Sequence, residues 1–466
     1  MKYVKQIPTY NEIPYLDYAQ IFVASSIMYS TGKGKETATF DLTVREMPGN
    51  RNFLLLGGIE EMINALINWK YEERFVNYLL SEKIISQKFA EYLKNFKFKG
   101  DVYAMPEGTV FFPSEPVIRI TTSLSDANLL TAFLVDVISY PTLFLSKAVR
   151  VKLATNGKPF FLAGAMRAFG FENIVKIQRF SYLIGSIIAM PYFGYKFGVG
   201  KRKPAIGFYH ALIKSFENEQ SAYRHFLPHT ANFGISTSMV DTYNYKTGIE
   251  NWIRVEKEAR MQGKTLGLVS IDSGNVLEIS KFLRKKLDDA GLKDVGITAY
   301  SNLDEFKIAN LEKGGAKINV YCPVTEIITV SDRPALEAVY KLAEIIDKNG
   351  KITYTAKFSE GKTSLPGRKQ VFRKISKNGK VIGDIIGLED EKLGIPLLIQ
   401  YIKKGKLIRR LPTLDQIKDY VNKELSYLPN NLKNVEKQHA YSVSVSKKLD
   451  NIFETLRKKH VKQTVS

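Results

Sequence analysis

From Gly207 onward the chain repeats one unit, a short apolar run ending in polar residues and followed by an amphipathic stretch, and few architectures accommodate that repetition. LGLVSIDSG (266–274) reads as a buried strand closing on Asp272, Ser273 and Gly274, before the helical pattern VLEISKFLRKKLDDAGL. VGITAYSN (295–302) repeats the plan before LDEFKIANLEKGG, and KINVYCPVTE opens the next strand. Such alternation predicts an α/β architecture of parallel strands with crossover helices, in which functional groups gather at the carboxyl ends of the strands. Asp272, Asn302 and Thr325 all fall at such ends.

Upstream the pattern differs. ETATFDL (36–42) alternates small or polar with apolar residues and then reaches Arg45 and Pro48, a strand entering a turn. A helix is expected around Gly58 to Trp69, and GDVYAMPEGTVFFPSEPVIRI (100–120), rich in β-branched and aromatic residues broken by proline, predicts strands and turns. SLSDANLLTAFLVDVISYPTLFLSKAVRVKLA then opens on a Ser/Asp cap and runs long and apolar. These pieces describe an α+β N-terminal region. The 466 residues are too many for one ordinary core, since domains average roughly 150 residues. From Ser376 the chain becomes more basic and carries turn signals at Asn378-Gly379 and Leu428–Asn431.

Lys plus Arg number 68 against 47 Asp plus Glu, a formal charge of +21, so the summed field favours anionic partners such as nucleotides, diphosphates or nucleic acid. The cations are scattered, with local clusters at 201–203, 403–406, 409–410 and 457–459, which reads first as a solvated face and second as a nucleic-acid surface. Cys322 is the single cysteine, so no intrachain disulfide forms, and a cytoplasmic setting is expected. The N-terminus lacks a signal-peptide core, no uninterrupted apolar run reaches about 18 residues, and no membrane association is expected. The apolar stretch Phe180 to Tyr195 is short and broken by Pro191, and reads as buried core.

Nine strings stand in a fixed order along the chain: FDLTVREMP, GDVYAMPEGTVFFPSEPVIRI, YPTLFLSKAVRV, VDTYN, IDSGN, NLDEFKIANLEKGGAKI, VYKLAE, KFSEGKTSLPGRKQVFR and GDIIGLEDE. Together they resemble the nicotinate phosphoribosyltransferase family from about Tyr18 to about Ser442. The resemblance implies a type II phosphoribosyltransferase fold, with an N-terminal α+β domain (1–150), an irregular α/β barrel (151–375) and a basic C-terminal segment packed on the core (376–466). It implies a homodimer with sites near the subunit interface. It also implies the reaction of nicotinate with phosphoribosyl diphosphate to nicotinate mononucleotide, with Mg2+ and with ATP as co-substrate through a phosphorylated histidine. Diphosphate departure leaves an electron-poor ribosyl carbon, so such a site needs cations, N–H donors and carboxylates around an anionic leaving group.

Carried onto this sequence, the resemblance places the phosphorylatable histidine at His210 and the strand-end acids near ribose and metal at Asp241 and Asp272, with Thr242, Ser273 and Gly274 beside them. A histidine satisfied in a core, and acids acting as loop caps, are the competing structural readings. Arg167 matches the second arginine of a paired-arginine motif whose first position holds Met166, with a structural ion pair as its alternative. Asn302, Thr325 and Lys362 complete the expected substrate contacts, Tyr18 stands in for an aromatic whose place falls on Ala19, and Lys147, Arg150, Arg368 and Lys369 are expected to build a basic cleft and dimer contact.

The chain departs from the family pattern at the ligand loops. Ser270 stands for an arginine, and Cys322-Pro323-Val324-Thr325 for a glycine-rich phosphate loop. Ala189–Tyr192 replaces Gly-Thr-Ser-Asn, and Tyr300-Ser301-Asn302 replaces Ser-Gly-Gly. Proline has no N–H to donate, and each lost charge-assisted contact costs on the order of 1.5–3 kcal/mol. A second expectation therefore stands beside the enzyme: a catalytically silent paralogue whose basic surface binds nucleic acid or a partner enzyme.

Overall fold

The computed structural model describes residues 19–187, 203, 205–359 and 361–463. Tyr18 and the substituted Ala189–Tyr192 loop lie outside the described residues.

Thr37–Val44 sits inside a seven-stranded sheet, antiparallel throughout. On one side lie Ala338–Ile346 and Ile352–Tyr354; on the other lie Pro116–Ser123, Asp101–Ala104, Ile399–Lys403 and Lys406–Leu407. The sheet thus gathers strands from both ends of the chain. Its buried charges are paired: Lys369 Nζ stands 2.6 Å from Asp41 Oδ2, and the fully buried Arg119 donates to Glu389 at 2.6 Å while its guanidinium lies over the Tyr103 ring. The helix Thr131–Ala154 packs beneath, carrying Pro141 inside it. It is long and apolar enough to cross a membrane, but 72% of its apolar window is buried inside the protein, as in a core helix.

Five parallel strands form the second sheet in the order Val320–Tyr321, Ile297–Ala299, Leu268–Ile271, Ile235–Met239, Ala205–Phe208. Bridges from Phe160 to Tyr321 and from Phe161 to Ile187 continue the curve beyond Tyr321, giving a partial barrel. The helices Glu219–Thr230, Tyr245–Met261, Val276–Asp289 and Glu305–Lys313 make the returns. Each begins on a side chain that accepts a hydrogen bond from its own first turn: Asn218, Asn244, Asn275 and Asp304 respectively. Several polar residues after the strands are therefore caps, which leaves His210, Asp241 and Asp272 to be explained otherwise.

The C-terminal segment is bonded into this body. A four-stranded sheet orders Ile395–Pro396, Lys369–Ile375, Val381–Leu388 and Val443–Val445, and the helix Leu414–Tyr427 starts with a capping box between Thr413 and Gln416. Buried Arg373 ties these pieces together, donating to Asp384 at 2.8 Å, to Glu424 at 3.0 Å and to the Val110 carbonyl.

Candidate functional site at the carboxyl ends of the parallel strands

Phe208 and Met239 end neighbouring parallel strands, so the residues that follow them meet. His210, which begins the short helix His210–Lys214, places its Nδ1 3.0 Å from the Thr242 hydroxyl, and its Nε2 stands 3.6 Å from Asp272 Oδ2 on the next strand. Both His210 and Asp272 keep more than a third of their side-chain surface exposed, so the pair faces the solvent at the rim. If Nδ1 carries the proton and donates it to Thr242, Nε2 keeps its lone pair, the arrangement a nucleophilic imidazole needs.

Asp241 is held differently. Its Oδ2 accepts from the Asp272 N–H at 2.9 Å, the Ser273 N–H at 3.0 Å and the Ser273 hydroxyl at 2.8 Å, while its Oδ1 is buried without a hydrogen-bond partner. The carboxylate thus fixes the Asp272–Ser273 turn and engages the Ser273 N–H. Gly274, at φ +76°, takes the left-handed conformation that lets the chain turn into its helix.

Further along the rim, Asn302 donates to Glu326 at 2.8 Å and its carbonyl accepts from Lys307 at 2.6 Å. Hydrogen bonds from Ser331 and Asn302 hold the Glu326 carboxyl below the usual carboxylate range against its partial burial. Thr325, half-buried, opens the one-turn helix Thr325–Ile328. In the loop before it Cys322 and Pro323 are buried, and Val324 lies so close to Gly164 that a Cβ there would come within 2.7 Å of the valine side chain. Burial pushes the Cys322 thiol well above its ordinary range. Ser270 is also fully buried, its hydroxyl 3.5 Å from the Met239 sulfur.

Arg167 is exposed on the turn Gly164–Arg167, whose Gly164 packs on Val324 of the rim loop, and is flanked by exposed Met166 and Phe169. Not every expected residue joins this rim. Lys362 lines a groove of about 340 Å³ with Arg45, Lys341 and Ser364, which contains none of the strand-end residues. Lys147 and Arg150 do not line a basic cleft: both are buried and share Glu305, at 2.8 Å each, with Lys147 also 3.1 Å from Asp332. Burial raises the Asp332 carboxyl, but Arg51 and Lys147 outweigh it and leave the group below its ordinary value. Arg368 and Lys369 likewise pair with Glu344 and Asp41. Among the described residues no group of three or more His, Cys, Asp or Glu side chains stands together as a metal site.

Sequence reasoning missed three aromatic residues here. Tyr209 and Tyr243 stand exposed at the rim, each beside a residue of the His210–Thr242 pair. Tyr300 is buried and bonds Thr237 across the sheet. The available signal was a tyrosine at or beside each strand end, with nothing local to show which of the three turns inward.

A Mycobacterium tuberculosis nicotinate phosphoribosyltransferase is 33% identical to this chain over 431 residues, covering 90% of this chain and 89% of the relative. The chain belongs to the nicotinate phosphoribosyltransferase family. The Bacillus subtilis nicotinate phosphoribosyltransferase is 32% identical, with 92% of each chain covered. Models of the family's N-terminal and C-terminal domains match residues 17–139 and 393–453. The crystal structure of human nicotinic acid phosphoribosyltransferase superposes with a TM-score of 0.78 at 21% identity, covering 94% of this chain and 99% of that one, a likeness of fold. Family membership and the mixed α/β fold with a partial parallel barrel agree with what the nine strings led us to expect.

Proposed function

We propose that this protein is a nicotinate phosphoribosyltransferase, joining nicotinate to phosphoribosyl diphosphate with release of diphosphate to form nicotinate mononucleotide for NAD synthesis. The observation that carries this reading is the rim constellation itself: His210, Thr242 and Asp272, brought within hydrogen-bond or near-contact range from three strand ends of a family barrel. The imidazole Nε2 fits attack on the γ-phosphorus of ATP, the P–N bond forming as the bond to ADP breaks, with Thr242 fixing the ring. Exposed Asp272 is the carboxylate this reading assigns to the positive charge that develops on the ribosyl carbon.

Magnesium fits the same corner, since Asp241 Oδ1 is an unpartnered buried oxygen next to the Asp272 turn and the ion ordinarily takes one or two carboxylates with substrate phosphates. When bound it neutralises the leaving diphosphate. Exposed Arg167 supplies a guanidinium for the nicotinate carboxylate. The exposed apolar Met166 and Phe169 beside it support a homodimer through this face. The reading extends to a cytoplasmic enzyme.

The test is an assay of the purified protein with nicotinate, phosphoribosyl diphosphate, Mg2+ and ATP. Nicotinate mononucleotide above the level of a His210→Ala control supports the proposal, and none above it refutes it. The second reading, a catalytically silent paralogue using its basic surface, has one observation in its favour: Cys322 and Pro323 are buried and Val324 packs on Gly164, with proline in the loop's cradle. Salt-sensitive nucleic-acid binding by a protein that shows no calorimetric heat with phosphoribosyl diphosphate is the outcome that favours it.

A further inference from the structure

Tyr300 ends the strand Ile297–Ala299 yet does not point along the rim. Its N–H donates to the Ile271 carbonyl at 2.8 Å, and its side chain crosses the interior of the curved sheet, so that the phenol oxygen lies 2.9 Å from Thr237 Oγ1, two strands away. It reaches past that strand as well. A Cβ placed on Gly207, in the edge strand Ala205–Phe208, would come within 2.6 Å of the Tyr300 oxygen and 3.2 Å of its ring. The ring edge rests on Phe161, 5.6 Å between centroids, from the segment that continues the curve on the other side. One side chain therefore spans the barrel interior from one wall to the other. Tyr300 is 9% exposed, and burial, with the nearby Cys322 and Asp272, drives its phenol to a raised pKa, so it stays neutral.

Its height in the barrel matters. Thr237 and Gly207 lie below the ends of their strands, whereas Thr242 and His210 lie beyond them. The ring consequently closes the interior beneath His210, Thr242 and Asp272. Ser301, next in the chain, sits at φ +104°, a region that residues with a side chain rarely adopt. Glycine at 207 and threonine at 237 receive the ring, so two positions are fitted to one side chain.

We propose that Tyr300 is the floor of the acceptor site and determines its specificity, limiting the acceptor to a single six-membered ring. This rests on the transferase reading above. A bicyclic acid such as quinoline-3-carboxylate carries the nicotinate recognition groups on a longer ring system, and the floor excludes it. Replacing Tyr300 by alanine opens the space.

The experiment compares kcat/KM for nicotinate and for quinoline-3-carboxylate in the wild type, Tyr300→Ala and Tyr300→Val, with phosphoribosyl diphosphate saturating and each variant checked for a cooperative thermal transition. The expected result is a shift of the bicyclic-to-nicotinate ratio by roughly tenfold or more in favour of the bicyclic acid, the scale at which apolar pockets discriminate by size. KM for phosphoribosyl diphosphate should move far less than KM for nicotinate. Gly207→Ala gives a second measurement in case neither small variant folds: it should raise the nicotinate KM, and Tyr300→Phe in the same chain, which removes the clashing oxygen, should restore it. An unchanged ratio in a folded Tyr300→Ala, or a Gly207→Ala defect that Tyr300→Phe does not relieve, overturns the floor. Absence of any nicotinate product from the wild type is a different failure, because it removes the transferase reading and the floor with it.

Discussion

Asp241 and Asp272 follow neighbouring strands with the same side chain, and hydrogen bonding gives them different roles. Asp241 Oδ2 accepts three hydrogen bonds from the Asp272–Ser273 turn, so that oxygen fixes the turn while Oδ1 keeps its lone pairs. Asp272 keeps its carboxylate exposed beside His210. Asp241→Ala should therefore lower stability by about 1.5–3 kcal/mol, the range for losing hydrogen bonds to a charged group, and chemical denaturation measures it. Asp272→Asn should leave the denaturation midpoint nearly unchanged while lowering kcat, and a midpoint shift as large as that of Asp241→Ala would contradict the division of roles. At Ser301 the positive φ is a local strain, so Ser301→Gly should raise stability by about 1 kcal/mol, read as a higher midpoint in the same assay.

Among the elements, one guanidinium amid acids joins the C-terminal helix and strands to the N-terminal layer, beside the Arg119–Glu389 pair. Arg373 pairs with Asp384 and Glu424, Tyr441 donates to Asp384 at 3.0 Å, and Glu115 lies fully buried against the same group. Burial, and then the Asp384 charge, raise the Glu115 carboxyl well above its ordinary value, and burial raises Glu424 as well. A carboxyl whose folded pKa is raised contributes its stability fully below the unfolded value of about 4.3, and that contribution declines as pH climbs toward the folded value. Glu115→Gln, neutral at every pH, should flatten this decline, so that the variant gains on the wild type between acidic and neutral pH in thermal melts. A constant difference across that range would rule out a titrating Glu115.

The same elements show what could be read from residues alone. The strand at ETATFDL, the helix after Gly58 and the strand–helix units around IDSGN and YSNLDE follow from periodicity, and all occur within three residues of where the pattern puts them. Asp272 was legible as the polar close of a periodic strand, and His210 only through the family resemblance. Lys147 and Arg150 were not, since a cation in sequence reads as surface, and only the fold brings Glu305 from 155 residues beyond Arg150 to bury with it. Nor was Tyr300, whose contacts with Phe161, Gly207 and Thr237 all come from distant segments that carry no local signal.

At the scale of the whole molecule, the charge of +21 does not stand as one basic cleft, because several cations expected there neutralise buried acids. Exposed Met166 and Phe169 around Arg167 predict self-association through that face, and Phe169→Glu should shift the protein toward monomer in light scattering. The central claim is that this rim still performs phosphoribosyl transfer despite its altered loop. The most direct measurement is formation of nicotinate mononucleotide from nicotinate and phosphoribosyl diphosphate with Mg2+, in the presence and absence of ATP. The account predicts product that ATP stimulates, with His210→Ala losing the stimulation; no product under any condition, from protein that shows no binding of phosphoribosyl diphosphate, would contradict it.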